Sequence, residues 1–329
     1  MGRRLLITGA TGGLGLALVE AAQARGDEVI ATGRSLTPLP RIRATGAAFI
    51  AADLAEPDTD LRSLVRGCDS VIHAAALSAS WGPREAFERI NVGATAALLA
   101  AARAEGCGRF VFVSSPSIFA SFRDRIGIRA GAPPAQPPLN DYARTKLAAE
   151  DLVLAANGPA MTTTAVRPRA IVGPDDQVLL PRLTELARRR WMPMLRRGKA
   201  LIELTDVRDA AEAILRAEDD IARVAGQAVN VSGGHPRPVR EVATALAMAL
   251  GRKPLLVDLP VVVGHVLAWL LEELARRTDR KSEPRLTRYS LATLAYSQTF
   301  DLAETAERIG FTPRRDGLAA LLAAAEGRR

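Results

Sequence analysis

Through the first half of the chain, short apolar runs alternate with longer stretches in which apolar positions recur every three or four residues. The runs at 4–7, 28–32, 48–52, 70–73, 110–114 and 163–166 have the length and composition of buried β-strands. Between them, 14–25, 60–65, 84–105 and 140–156 carry helical spacing and end near Gly or Asn, which predicts crossover helices. Strands separated by helices imply parallel βαβ units, hence an α/β fold on a doubly wound parallel sheet.

Near residue 173 the alternation breaks. Apolar helices are predicted at 180–190 and 261–277, separated by segments rich in Arg, Pro and Gly. The β-branched run 228–231, bounded by Gly226, Gly233 and Gly234, still reads as a strand, so the chain is expected to return to the sheet before leaving it again. The expected organisation is a first domain of 1–172, rejoined by 200–232, and a smaller, mostly helical C-terminal domain of 173–199 and 233–329. Four prolines and two glycines in 126–139 predict a loop. The apolar stretch 255–271 is broken by Asp258, Pro260, Gly264 and His265, too short a run to span a bilayer, which takes about 20 helical residues. It reads as a buried helix, with peripheral membrane contact left open by Arg276, Arg277, Arg280 and Lys281 behind it.

Composition narrows the function classes. The 329 residues are 48% hydrophobic and 24% charged, a globular chain long enough for two domains. A net charge of +8 is dispersed along both halves and only 4% of residues are aromatic, which argues against a nucleic-acid platform. Cys68 and Cys107 cannot make a disulfide framework, and His73, His235 and His265 lack metal-ligand spacing, so no metal is expected. The N-terminus reaches Thr8 after three consecutive apolar residues, unlike a secretory signal, and a cytoplasmic location is expected.

The candidate chemistry begins where strand 4–7 runs into Thr8-Gly9-Ala10-Thr11-Gly12-Gly13-Leu14-Gly15 and then a helix. Absent side chains at such a turn let the backbone approach a pyrophosphate, and the helix N-terminus offers unpaired N–H groups. A site for NAD would place an acid at the end of the second strand to accept from the adenosine ribose; this chain has Thr32-Gly33-Arg34-Ser35. A guanidinium there favours a phosphate, which points to NADP, with NAD as the alternative. Asp53-Leu54 closes the third strand, and after His73 the small Ala74, Ala75 and Ala76 let a flat cofactor lie against backbone. Tyr142 and Lys146 sit four apart on one predicted helix, where an ammonium favours the phenolate, and Ser114 and Ser115 follow a strand whose end is a place where ligands collect.

Taken in order, residues 8–15, 53–54, 73–76, 91–92, 114–115, 142–146 and 167–174 resemble the extended short-chain dehydrogenase/reductase family, and 206–210, 300–302 and 309–313 carry the resemblance nearly to the C-terminus. Ser80-Trp81-Gly82, Arg167-Pro168-Arg169-Ala170-Ile171, Leu179–Leu183 and Pro284–Arg288 look most like its 3β-hydroxysteroid dehydrogenase branch, and especially the 2-alkyl-3-oxoalkanoate reductases. The resemblance implies a Rossmann-type sheet, cofactor contacts from Gly9, Thr11, Gly12, Gly13, Leu14, Gly15, Arg34, Asp53, Leu54, Ala74, Ala75, Ala76, Tyr142, Lys146, Pro168 and Ile171, and catalysis by Ser115, Tyr142 and Lys146. Ser115 is placed by standing four residues before Phe119, where the family has a Tyr. The C-terminal domain would then bind substrate, with Trp81, Ser115 and Trp191 as candidate contacts. The implied activity is an NADP-dependent reduction of a ketone, or oxidation of a secondary alcohol, on a largely apolar small molecule. Two alternatives stay open: a nucleotide-sugar epimerase or dehydratase using Arg188, Arg189, Arg190, Arg196, Arg197 and Lys199 on the diphosphate, and a cofactor-sensing protein without chemistry.

Overall fold

The computed structural model describes residues 2–278 and 283–327. Its centre is a seven-stranded sheet of β1 (Arg4–Thr8), β2 (Glu28–Gly33), β3 (Ala48–Ala51), β4 (Ser70–His73), β5 (Arg109–Val113), β6 (Thr162–Pro168) and β7 (Ala228–Val231). The spatial order is β7-β6-β5-β4-β1-β2-β3, every pairing parallel. Parallel strands need crossovers that cover both faces, which is why most of these strands are apolar in both directions. Alternate residues divide the core: Leu5, Ile7, Val111 and Val113 pack with α1 (Gly13–Ala24) and Val207–Asp219, whereas Leu6, Val71, Phe110 and Phe112 pack with α2 (Ala94–Ala104) and α3 (Asp141–Ala155). The strand order reverses between β1 and β4, and their carboxyl ends part to open a crevice.

Three segments read from the sequence depart from expectation. The predicted helix 84–105 is interrupted, running as Arg84–Phe87, a π-helical segment Glu88–Gly93, and then α2. The proline-rich loop contains a strand, Arg125–Ile128, which pairs with Gln298–Phe300; that partner lies far along the chain and leaves no local trace. The stretch 255–271 is split at Pro260 into a strand, Leu255–Leu259, paired in parallel with Trp191–Leu195, and a helix, α4 (Val261–Arg277).

Nor is α4 a buried helix. Its packed stripe is Gly264, Ala268, Glu272 and Ala275, and a Cβ on Gly264 would stand 2.6 Å from Leu291 Cδ1. Small residues allow that close approach, so Val262, Val266, Trp269, Leu270 and Leu274 are left exposed. Arg276 and Arg277 pair with Glu272 and Glu273 on the same helix, while Arg280 and Lys281 lie outside the described residues. Among the described residues no helix is long and apolar enough to cross a membrane.

One buried ion pair fastens α3 to the sheet. Arg167 on β6 donates from Nε to Glu150 Oε2 at 2.9 Å and from Nη2 to Glu150 Oε1, and its Nη1 donates to the Ala130 carbonyl at 2.7 Å. Both side chains are nearly inaccessible, and the guanidinium lies over the Phe119 ring. Arg167→Met should cost about 3–5 kcal/mol by leaving a buried carboxylate unpaired. Combining it with Glu150→Leu should recover most of that loss in denaturant unfolding; a double variant as unstable as the single would show that the pair is not what holds the helix.

Candidate active site

The crevice is one wall of a cavity of about 2100 Å³. Its lining includes Gly9, Thr11, Gly12, Gly13, Leu14, Gly15, Arg34, Asp53, Leu54, Ala74, Ala75, Ala76, Tyr142, Lys146, Pro168 and Ile171, so every residue singled out for the cofactor reaches the same space. The glycines are required by contact. A Cβ on Gly9, which has φ +66°, would stand 2.7 Å from the Ala75 nitrogen, and one on Gly15 would stand 2.0 Å from the Gly9 oxygen. The α1 N-terminus has no side-chain cap, leaving its first N–H groups for a ligand.

At the adenosine end, Arg34 is exposed and lies 3.5 Å from Asp53 Oδ2, a loose surface pair. Ser35, Thr37 and Arg41, which sequence reasoning passed over, line the same end. Arg41 is engaged by Glu20 and Asp175 at 2.9 and 2.7 Å.

The end of β4 is set by a chain of hydrogen bonds whose direction can be worked out. Ala75 N–H donates to Thr8 Oγ1 at 3.1 Å, and Thr8 Oγ1 lies 2.7 Å from His73 Nδ1; His73 Nε2 lies 3.0 Å from Thr95 Oγ1, which donates to the Asn91 carbonyl at 2.7 Å. With the Thr95 proton committed to Asn91, Nε2 must carry the imidazole hydrogen and Nδ1 must accept from Thr8. Burial, helped by the Lys146 charge, pushes His73 down to about 3, so it is a neutral structural link. The Asn91 side chain, on the π-helical segment, accepts from Leu77 N–H at 2.7 Å and donates to Thr145 on α3 at 3.1 Å. The segment beyond β4 and helix α3 are thereby held to each other.

Helix α3 starts at Asn140, whose side chain accepts from Ala143 N–H. It brings Tyr142 and Lys146 to the cavity beside Ser115. Burial raises the Tyr142 pKa, and the Ser115 and Ser78 hydroxyls facing the phenol act in the other direction. Ser78 was not singled out in the sequence; it follows the His73–Ala76 motif in an otherwise unremarked Leu-Ser-Ala. Ser115 caps the short helix Pro116–Phe119 by accepting from Ser117 N–H at 3.2 Å, while the neighbouring Ser114 Oγ is buried without a hydrogen-bond partner. Lys146 is buried, donates to the Val113 carbonyl at 2.6 Å and lies over the Phe112 ring. Burial pulls its pKa down to about 7, with Glu150 acting against that.

The same cavity has an apolar part, its chamber, lined by residues that include Leu183, Leu186, Met192, Met194, Leu259 and Leu286. The two tryptophans expected here do not line it. Strand alternation in Trp191–Leu195 turns Met192 and Met194 inward and leaves Trp191 61% exposed, and Trp81 lies under the Arg276 guanidinium. Of the basic run proposed for a diphosphate, Arg189 pairs with Glu185, Arg196 pairs with Asp124, and Arg188 and Arg190 are exposed.

Residues 5–232 match the model of the NAD dependent epimerase/dehydratase family. The chain belongs to that family. It is 33% identical over 316 residues to a 2-alkyl-3-oxoalkanoate reductase of Stenotrophomonas maltophilia, covering 94% of this chain and 95% of the relative. It is 32% identical over 321 residues, 97% of this chain and 95% of the relative, to a 4-hydroxy-2-methyl-3-oxo-4-farnesyl-3,4-dihydroquinoline-1-oxide ketoreductase of Stigmatella aurantiaca. The solved structure of MoeE5 in complex with UDP-glucuronic acid and NAD superposes with a TM-score of 0.75 at 26% identity, covering 100% of both chains. As a member of this family, the protein is an NAD(P)-dependent oxidoreductase acting on CH–OH and C=O groups.

The buried lysine carries a measurable consequence. Because folding depresses its pKa from 10.5 to about 7, the folded state is penalised wherever the unfolded lysine would be charged. That penalty is absent above pH 10.5, grows as pH falls through this window, and levels off below about 7. In thermal unfolding of cofactor-free protein, Lys146→Met should therefore gain stability relative to wild type as pH is lowered across this range. Parallel pH profiles for the two proteins would contradict the assigned burial effect.

Proposed function

We propose that the protein is an NADP-dependent reductase that converts a ketone to a secondary alcohol, or the reverse, on a substrate with a long apolar body. The observation that supports this reading is that Ser115 and Tyr142 line one cavity together with the glycine turn and a group of leucines and methionines. The bound nicotinamide supplies the hydride. On the protein side, Ser115 donates a hydrogen bond to the substrate oxygen and Tyr142 delivers the proton that oxygen needs as it becomes an alcohol. Lys146 holds the cofactor ribose in this reading; the charge it then carries favours the phenolate left behind. A chamber built from leucines and methionines suits an alkyl chain and offers few partners to sugar hydroxyls. The names of the two relatives support an oxo compound with an apolar substituent.

Tyr142→Phe should keep cofactor affinity and lower turnover by about 10²- to 10⁴-fold, the range for loss of a positioned proton donor. The assay is NADPH oxidation against long-chain 3-oxo acids, 3-ketosteroids, aromatic ketones and nucleotide sugars. Retained activity would assign the proton to another group, and a higher specificity constant for a UDP-sugar than for any ketone would restore the epimerase or dehydratase alternative.

The choice of NADP rests on Arg34, with Ser35 and Thr37 beside it as hydroxyl donors to the 2′-phosphate. A guanidinium held only by one loose surface pair can turn onto a phosphate at little expense. Titration should show NADPH binding more tightly than NADH, with Arg34→Ala narrowing the difference. Equal affinities in the wild type would remove the phosphate role.

A further inference from the structure

Arginine is abundant in this protein, and in the cavity it is almost always neutralised. Arg182 is engaged by Glu283 and by Ser80 Oγ, Arg41 by Glu20 and Asp175, Arg208 by Asp206, and Arg34 by Asp53. Arg169 is different. It is 8% exposed and lines the cavity, its Nε is buried without a hydrogen-bond partner, and among the described residues its guanidinium forms no ion pair. A cation withdrawn from water without a counter-charge is costly, and such groups usually mark a ligand.

We propose that Arg169 seats the carboxylate of the substrate, so that the preferred ketone is a 3-oxo acid taken as its anion. This deepens the reductase reading above and rests on it. Two observations support the assignment. Arg169 stands directly after Pro168 at the end of β6, on the wall of the space that Tyr142 also lines. Tyr289 lies within electrostatic reach of both Arg169 and Tyr142, and all three line the one cavity. A carboxylate one carbon removed from the reacting carbonyl matches that arrangement, with the alkyl chain continuing into the leucine- and methionine-lined chamber.

The backbone is fixed to present this side chain. Arg169 N–H donates to the Val231 carbonyl at 2.8 Å, its own carbonyl accepts from Thr205 Oγ1, and Ala170 takes φ +40°, a conformation unfavourable for a residue with a Cβ. The nearby acid, Glu203, forms no ion pair with Arg169: its Oε1 accepts from Phe300 N–H at 3.3 Å, its Oε2 is buried without a hydrogen-bond partner, and burial raises its pKa while Arg169 acts in the other direction. A guanidinium fork can hold a carboxylate through two parallel hydrogen bonds, which a neutral ester cannot reproduce.

The test compares wild type, Arg169→Gln and Arg169→Lys on 3-oxododecanoate and its methyl ester, with NADPH oxidation as readout. Arg169→Gln should lower the specificity constant for the acid by about 10- to 100-fold, chiefly through KM, and shift the ester by no more than about twofold. Arg169→Lys should restore part of the preference for the acid. Equal losses on acid and ester would make Arg169 a structural residue, weaker NADPH binding by Arg169→Gln would make it a cofactor contact, and a wild-type preference for the ester would exclude the carboxylate seat. Calorimetry with dodecanoate and dodecanol separates the two levels of inference. If no ketone is turned over, the reductase reading fails, and Arg169 is still judged by whether wild type prefers dodecanoate and Arg169→Gln does not.

Discussion

The approach of bare backbone to bare backbone at the crossing of β1 and β4 governs the rest of the molecule. A side chain at Gly9 would strike Ala74 and Ala75, and one at Gly15 would strike the Gly9 carbonyl. Only with both positions empty can α1 begin this close to the sheet and leave its N–H groups open to a pyrophosphate. The hydrogen bond from Ala75 to Thr8 lies at this same crossing. From it the connections through His73, Thr95, Asn91 and Thr145 carry the position of the glycine turn across to α3. The glycine turn and the helix bearing Tyr142 are therefore one construction, and a shift at the glycines would be felt at Tyr142.

Stability and function pull against each other along α3. On its lower turns the buried Arg167–Glu150 pair is satisfied at nearly every donor, and the helix is anchored there. About one turn earlier, Lys146 is also buried, and among the described residues its one hydrogen bond goes to the Val113 carbonyl. Burying a lysine beside a fully compensated arginine makes sense if its missing partners come with the cofactor. Unsatisfied polar groups elsewhere in the cavity, Ser114 Oγ and Arg169 Nε among them, fit the same pattern of a site completed by ligands.

Much of this was legible in the amino-acid order because the determinants are local. The strand 228–231 stood out because β-branched residues were fenced by glycines, and it forms β7 with those bounds. Tyr142 and Lys146 were legible because a four-residue spacing on a helix fixes a shared face. What escaped depends on partners far apart in sequence. The strand Arg125–Ile128 exists through Gln298–Phe300, and Ser78 matters through a helix that starts more than sixty residues later. Trp191 was misplaced because composition marks a segment as apolar without saying which of its alternate residues turn inward. The long apolar stretch failed for a related reason: with Gly264 and Ala268 taking the packed stripe of α4, the bulky residues that made it look buried face outward.

Arg169 shows how the two kinds of information combine. In sequence it sits inside a motif whose interest lay in Pro168 and Ile171, and an arginine between them carried no mark of its own. The structure adds two facts that no local pattern contains: Arg169 lines the cavity at the end of β6 within electrostatic reach of Tyr289, and the acids Glu283 and Glu203 form no ion pair with it, Glu283 being taken by Arg182. Arg34, Arg41, Arg182, Arg189 and Arg208 in this cavity were given carboxylates by the fold, and Arg285 is exposed, so a buried Arg169 without an ion pair among the described residues is informative. In the proposed reading, Arg169 separates substrates by what they carry next to the ketone, while the apolar chamber separates them by what they carry beyond it. Chain length and head group would then be selected by different walls of one cavity, and each could change without disturbing the glycine turn or the catalytic helix.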